Sequence, residues 1–286
     1  MTEFINLYDV TKCTACRGCQ VACKQWNQLP ANIVPFSGGY GTKDDMDAKT
    51  FTIVKYFEDE DANGKVTWRF RKHQCLHCAD PACMKVCSTG AIYKTEFGAV
   101  AKDYTKCVGC KYCVAACPFG VPKYDGEIDK VTKCEMCVDR LKVYMEKPDS
   151  TDPAQQRDKN NFIPACAKTC PTGSIKFGPK EELLKVAEAR VSFLKANGSP
   201  NANIYNPSGV GGVHKVYILA EAPEKYGLPS NPTIPAYINV WQPWIKPYGG
   251  ILVGLAALGA VGSFFSTRII KVMGIGEHEG GKSHDA

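Results

Sequence analysis

The chain has 286 residues, enough for one large domain or two small ones, and a formal net charge of +6 that taken alone points to an anionic partner such as nucleic acid. Sixteen cysteines, far above ordinary usage, change that reading. All of them lie between Cys13 and Cys170, and they fall into four groups of four.

In chain order, Met1 to Lys12 carries no apolar run ahead of the first group, Cys13, Cys16, Cys19 and Cys23, as a secreted disulfide scaffold would require. Thr50 to Phe57 and Val66 to Arg71, joined by the polar stretch Glu58 to Gly64, predict a hairpin whose role is packing. The second group is Cys75, Cys78, Cys83 and Cys87, its third member displaced by Ala79-Asp80-Pro81-Ala82. The third is Cys107, Cys110, Cys113 and Cys117. The fourth is Cys134, Cys137, Cys166 and Cys170, interrupted by the polar segment Lys147 to Phe162, which reads as an exposed loop.

After the last cysteine, Leu183, Leu184, Ala187, Val191 and Leu194 repeat at helical spacing between Pro179 and Gly198, predicting one helix over Pro179 to Asn197. Val213 to Leu219 predicts a strand, and Pro223 to Pro247 a Pro-rich extended segment. Tyr248 to Thr267 carries no charge and is long enough to cross a bilayer, with Lys246 before it, Arg268 and Lys271 after it, and Trp241, Trp244 and Tyr248 at one edge. Gly250, Gly254, Gly259 and Gly262 leave room for another helix to approach. The expected divisions are a cysteine domain over 1–178, a covering helix, strand and extended segment over 179–247, a transmembrane helix over 248–267 and a polar tail over 268–286.

Zinc is the serious alternative to iron–sulfur chemistry, since C-x2-C pairs are its common ligand unit. The tight triples Cys13, Cys16, Cys19 and Cys107, Cys110, Cys113, each with a fourth cysteine four residues on, are instead the C-x2-C-x2-C-x3-C run of bacterial ferredoxins. Four [4Fe–4S] cores with their thiolates carry roughly eight negative charges, which cancel the formal excess and remove the reason to invoke nucleic acid. Cys87-Ser88-Thr89-Gly90-Ala91-Ile92 matches Cys170-Pro171-Thr172-Gly173-Ser174-Ile175, an internal repeat of ferredoxin type. A helix beginning at the last cysteine of each motif would turn its N–H groups toward an anionic cluster, with Pro118 and Pro171 at the first helical position. His77, between two cysteines, reads as a packing residue before a tuning one. The chain has no C-x2-C-H, no GxGxxG after a strand and no C-x3-C-x2-C, so it brings no haem, dinucleotide or radical chemistry of its own. Spacing leaves two pairings of the groups open: neighbours with neighbours, or the middle two as one module nested inside the outer two.

The motifs Cys23-Lys24-Gln25-Trp26-Asn27, Cys75-Leu76-His77-Cys78-Ala79-Asp80-Pro81, Cys137-Val138-Asp139-Arg140 and Lys168-Thr169-Cys170-Pro171-Thr172-Gly173 resemble the four-cluster iron–sulfur subunits of the molybdopterin oxidoreductase superfamily. The cysteine-free tail, with Tyr205-Asn206-Pro207-Ser208-Gly209-Val210-Gly211-Gly212, Tyr226-Gly227-Leu228-Pro229 and Gly274-Ile275-Gly276, resembles that of the membrane-bound formate dehydrogenase beta subunit. The resemblance covers essentially the whole chain. It implies an α+β fold of two ferredoxin-like two-cluster modules, one of them (about 70–125) inserted in the other, plus a single C-terminal transmembrane helix. It implies the nested set: Cys13, Cys16, Cys19 and Cys170; Cys23, Cys134, Cys137 and Cys166; Cys75, Cys78, Cys83 and Cys117; Cys87, Cys107, Cys110 and Cys113. The segment between Cys137 and Cys166 is longer than the resemblance leads one to expect. The resemblance further implies a non-catalytic electron-transfer subunit of anaerobic respiration. Its partners would be a molybdenum or tungsten pterin subunit that oxidises formate, a cytochrome b subunit that reduces quinone, and membrane lipid. Hydrogenases and sulfur-compound reductases use similar wiring subunits. The absent signal peptide fits export of the folded pair on the catalytic partner's twin-arginine signal. The charges after the span favour a cytoplasmic C-terminus and a periplasmic cluster domain.

Overall fold

The computed structural model describes residues 3–31, 33–36, 40, 41, 43–60, 63–240 and 246–273. Asp61, Ala62, Trp241, Trp244, Gly274-Ile275-Gly276 and the rest of the expected tail lie outside the described residues. In chain order the strands are β1 (Phe4–Asp9), β2 (Ile53–Glu60), β3 (Val66–His73), β4 (Ile92–Lys94), β5 (Val100–Lys102), β6 (Lys123–Asp125), β7 (Lys130–Thr132), β8 (Ile175–Pro179), β9 (Asn203–Tyr205) and β10 (Lys215–Leu219). The α-helices are α1 (Gly18–Trp26), α2 (Ala82–Lys85), α3 (Tyr112–Ala116), α4 (Val138–Glu146), α5 (Pro153–Asn160), α6 (Ala165–Lys168), α7 (Lys180–Ala196), α8 (Ala236–Val240) and α9 (Lys246–Met273). The chain divides into two compact units, Met1–Pro235 and Ala236–Ala286.

The first unit is organised on a four-stranded sheet in the order β8-β1-β10-β9. Its two central strands, FINLYD and KVYIL, are almost wholly buried, and they run parallel with Asn6 opposite Lys215 and Tyr8 opposite Tyr217. Parallel neighbours need a crossover, and here the crossover holds all sixteen cysteines. Ile5, Leu7, Val216 and Ile218 are nearly inaccessible, and burying each such side chain is worth about 1.5–3 kcal/mol. Helix α7 covers this core with Ala187, Val191 and Leu194, the helical stripe read from the sequence. It starts one residue later than expected: Pro179 closes β8 and caps the helix. Gly198, at φ +91°, follows the last turn as the stop signal requires. Arg190 of α7 donates to Asp9 at 2.9 Å, and Asp9 accepts the Thr11 N–H at 3.0 Å, so the helix is tied to the turn that leads into Cys13.

Three hairpins complete the unit: β2–β3, β4–β5 and β6–β7. The expected hairpin is the first of these, but its strands run further, Glu58 to Glu60 pairing with Trp68 to Val66 where a turn was predicted. The expected strand from Val213 starts at Lys215, and Val213 forms an isolated bridge with Cys78 instead.

Three local expectations are corrected. Lys147 to Phe162 is not a loop throughout: α5 occupies Pro153–Asn160, its Asp152 cap accepting the Ala154 N–H at 2.9 Å and its Pro153 in the first turn. Helices also do not begin at the terminal cysteines. Cys87, Cys117 and Cys170 each open a tight turn in which the glycine three residues on, Gly90, Gly120 or Gly173, donates its N–H to the cysteine carbonyl and sits at a φ of +62° to +65°. Pro118 and Pro171 take the second position of those turns, where their fixed φ suits them. The helices precede these cysteines: α1 carries Cys19 and Cys23, α2 Cys83, α3 Cys113 and α6 Cys166.

Pro223 to Pro247 is likewise not extended throughout, since Pro223–Tyr226 forms a 3-10 turn and α8 follows. In α9, Tyr248–Ile270 is long and apolar enough to cross a membrane, with 23 residues and a mean hydropathy of 1.8. This stretch extends past the predicted end at Thr267, taking in Arg268, Ile269 and Ile270.

Gly98, between β4 and β5, has φ +95°, and a Cβ built there would stand 2.1 Å from the buried His214 ring. We expect Gly98→Ala to cost about 2–4 kcal/mol from backbone strain and overpacking together. A lower midpoint of anaerobic thermal unfolding would show this, and an unchanged midpoint would contradict the close approach.

Candidate metal centres

All sixteen thiols are free of disulfides, and only Cys16 and Cys110 are exposed. The leading C-x2-C loop of each of the four groups shares one backbone feature. The residue before its second cysteine, Ala15, His77, Gly109 or Met136, lies in the left-handed region at φ +54°, +50°, +67° and +61°. In each loop that residue's N–H donates to the sulfur of the first cysteine: Ala15 to Cys13 at 3.4 Å, Met136 to Cys134 at 3.4 Å, and likewise His77 to Cys75 and Gly109 to Cys107. Left-handed backbone costs a non-glycine residue about 1–2 kcal/mol. Concave rows of N–H groups of this kind receive anions, which gives the strain a purpose. The left-handed positions are invisible in the sequence except at Gly109.

Thiols from distant parts of the chain come close to one another. Cys13, Cys16, Cys19 and Cys170 line one cavity. Burial raises Cys19 to about 11; the Lys72 ammonium opposes this, while Cys166, Cys13 and Cys170 add to it. Burial raises Cys23 still further, with Cys134 the leading thiol beside it and Cys166 and Cys137 following. Cys137 is pushed up to about 12 by burial and then by Cys166. Cys78 is raised by burial and by Cys75, Cys117 and Cys83, and Cys113 to about 11 by burial and by Cys110, Cys87 and Cys107. A buried thiol with a raised pKa holds its proton at neutral pH until a metal displaces it.

Side chains singled out in the sequence make these approaches. Trp26 donates to Asp139 at 2.8 Å, and Arg140 lies 4.2 Å over its ring, drawing α1 with Cys23 onto α4 behind Cys137. Arg140 also donates to the Ile163 carbonyl at 2.7 Å, which closes the long segment ahead of Cys166. The tail clamps the second loop: Ala79 donates to the Gly212 carbonyl at 2.8 Å and Asp80 to that of Val210 at 2.9 Å. His77 is wholly buried and accepts the Val100 N–H at 2.9 Å on Nδ1, while its carbonyl accepts from His214, so it pins its loop to β5. This is the packing role expected of it.

The donor set fits clusters better than single ions. Four thiolates around one zinc, each about 2.3 Å from it, would lie about 3.8 Å from one another. Among the described residues no three His, Cys, Asp or Glu are gathered tightly enough to hold a single metal ion.

One signal escaped the sequence reading. Lys72, Lys102, Lys133 and Lys215 are all buried, and each lies beside thiols. Nothing in the residues beside them in the sequence marks them as enclosed.

Residues 66–152 and residues 12–91 each match a 4Fe-4S dicluster domain family. The chain is 41% identical over 281 residues to the nitrate-inducible formate dehydrogenase iron–sulfur subunit of Escherichia coli (strain K12), an alignment that covers 97% of this chain and 87% of that protein. It is 40% identical over 269 residues to the formate dehydrogenase iron–sulfur subunit of Haemophilus influenzae, covering 92% and 80%. It is 35% identical over 232 residues to formate dehydrogenase 2 subunit beta (cytochrome c-553) of Nitratidesulfovibrio vulgaris, covering 77% and 94%. With two dicluster matches and relatives of this identity along nearly its whole length, the chain belongs to the family of formate dehydrogenase iron–sulfur subunits.

Proposed function

We propose that this chain is a four-cluster electron wire, non-catalytic by itself. It would link a formate-oxidising molybdenum or tungsten pterin subunit to a cytochrome b subunit that passes electrons to quinone. The observation that carries the reading is the cavity that Cys170 shares with Cys13, Cys16 and Cys19, across most of the cysteine region. We assign cluster a to Cys13, Cys16, Cys19 and Cys170, cluster b to Cys23, Cys134, Cys137 and Cys166, cluster c to Cys75, Cys78, Cys83 and Cys117, and cluster d to Cys87, Cys107, Cys110 and Cys113. Each [4Fe–4S] centre takes up and releases one electron. The nested pairing is supported by the cavity that Cys170 shares with the N-terminal triple and by the company of Cys87 with Cys113.

The quartets adjoin in one order. Cys166 lies beside Cys19, Cys134 beside Cys75, and Cys113 beside Cys83, which favours a path a–b–c–d. The same neighbours share apolar surroundings: Cys75 packs on Cys23 and Cys134, and Cys83 lies with Cys113 and Cys87. The two exposed cysteines belong to the end quartets, Cys16 to a and Cys110 to d. Electrons would enter and leave at those ends, and the apolar interior would keep water from the middle pair.

Helix α9 anchors the chain in the membrane in this reading, with Gly250, Gly254, Gly259 and Gly262 open to a neighbouring helix. Arg268 and Lys271 near its C-terminal end support a cytoplasmic C-terminus and a periplasmic cluster domain.

Three outcomes follow. The anaerobically purified chain should hold about sixteen irons and sixteen acid-labile sulfides; about four zinc ions would refute the reading. Cys170→Ala should alter the paramagnetic resonance signal of the cluster held by Cys13, Cys16 and Cys19 and leave that of Cys107, Cys110 and Cys113 intact, whereas the reverse would establish neighbour pairing. Mild solubilisation of the native membrane should bring down a pterin formate-oxidising subunit and a cytochrome b with this chain, and recovery with a hydrogenase or a sulfur-compound reductase would reassign the partner.

A further inference from the structure

Lys72 on β3 and Lys215 on β10 are each 1% exposed. Both ammonium groups donate to a single neutral oxygen, Gln74 Oε1, Lys215 at 3.2 Å and Lys72 closer. The amide is held by its neighbours: Gln74 Nε2 reaches the Tyr217 hydroxyl at 3.5 Å, and that hydroxyl donates to the Lys72 carbonyl at 2.8 Å. Among the described residues neither lysine forms an ion pair with a carboxylate. Two buried cations sharing one uncharged acceptor repel each other and have lost their water, a costly arrangement unless an anion stands nearby.

The groups that face Lys215 are sulfurs. Lys215 stands opposite Asn6 in the sheet, the residue whose amide reaches Cys166, and the charges that act on it are those of Cys134, Cys166, Cys137 and Cys75. Lys72 acts on Cys23, Cys134 and Cys19. Three of the four sulfurs of one quartet thus face Lys215, and the fourth faces Lys72. The same quartet accepts the Asn6 amide on Cys166 at 3.8 Å, the Asn27 amide on Cys23 at 3.6 Å and the Met136 N–H on Cys134 at 3.4 Å. Charge and hydrogen bonds to sulfur both favour the more negative, reduced state of a cluster.

We propose that Lys215 and Lys72, fixed over the Gln74 amide oxygen, are positioning cations that raise the reduction potential of the cluster held by Cys23, Cys134, Cys137 and Cys166 and make it the easiest of the four to reduce. The electron it gains comes from a neighbouring cluster, and no proton moves with it. This rests on the cluster assignment above.

The test is a potentiometric titration of the full-length chain followed by paramagnetic resonance, with iron counted on every sample. The signal of the cluster in question is identified by Cys23→Ser. In the unaltered protein that signal should appear at the highest potential. Lys215→Met should shift its reduction equilibrium at least about tenfold toward the oxidised form, about 59 mV for one electron, while the other three clusters move less. Lys215→Arg, which keeps the charge, should restore it to within about threefold. Lys72→Met is judged by the same criterion if Lys215→Met loses iron. Unchanged potentials with full iron content, equal shifts of all four clusters, loss of iron from both Met variants, or failure of Arg to restore the signal would overturn the proposal. An unaltered protein without four [4Fe–4S] clusters would instead remove the assignment on which it rests.

Discussion

Charge balance in a buried interior constrains this molecule more than any other interaction. Six of the sixteen thiols are buried and eight more are partly covered. Burial alone drives most of the shifted ones toward the protonated form, as at Cys23, Cys78 and Cys83. The protein answers with N–H groups aimed at sulfur in the leading C-x2-C loop of each group and with lysines enclosed beside them. Cys134 shows the result: burial raises its pKa, but Lys215, Lys72, the Met136 N–H and Lys133 together bring it below the ordinary thiol value. Such an interior suits anionic clusters and poorly suits a protein that lacks them.

The sheet exists to bring the two ends of the cysteine region together. Because β1 lies between β8 and β10, Asp9 leaves the sheet beside Ser174, donating its N–H to the Ser174 carbonyl at 2.8 Å. Cys13 and Cys170 are then neighbours although most of the cysteines lie between them in sequence. The tail is part of the same device, since β10 supplies Lys215, and Val210 and Gly212 hold the loop of Cys75 and Cys78. A stretch without a single cysteine therefore shapes the surroundings of two quartets.

Much of this was legible in the residues. The cysteine spacing announced the chemistry, two segments either side of a polar turn announced the β2–β3 hairpin, and helical spacing announced α7. The apolar stretch of α9 stood out by length. What escaped was set by tertiary contact. Lys72, Lys133 and Lys215 carry no sign in their neighbours that they are enclosed. The left-handed backbone at Ala15, His77 and Met136 contradicts local preference and is imposed by the loop. Helix α5 was missed for a different reason: Asp152-Pro153 is a good start signal, but its body, PAQQRDKN, has no apolar stripe to follow. Pro118 and Pro171 were compatible with a helix start or a turn, and the glycine two residues beyond each was the cue that decided for the turn.

The central claim is that distant cysteines share clusters across the nested motifs. The most direct measurement is anomalous diffraction at the iron edge from anaerobically grown crystals of the intact chain. The account predicts four iron peaks, with Cys170 on the peak of Cys13, Cys16 and Cys19, and Cys87 on that of Cys107, Cys110 and Cys113. Cys87 on the peak of Cys13, or scattering at the zinc edge in place of iron, would contradict it.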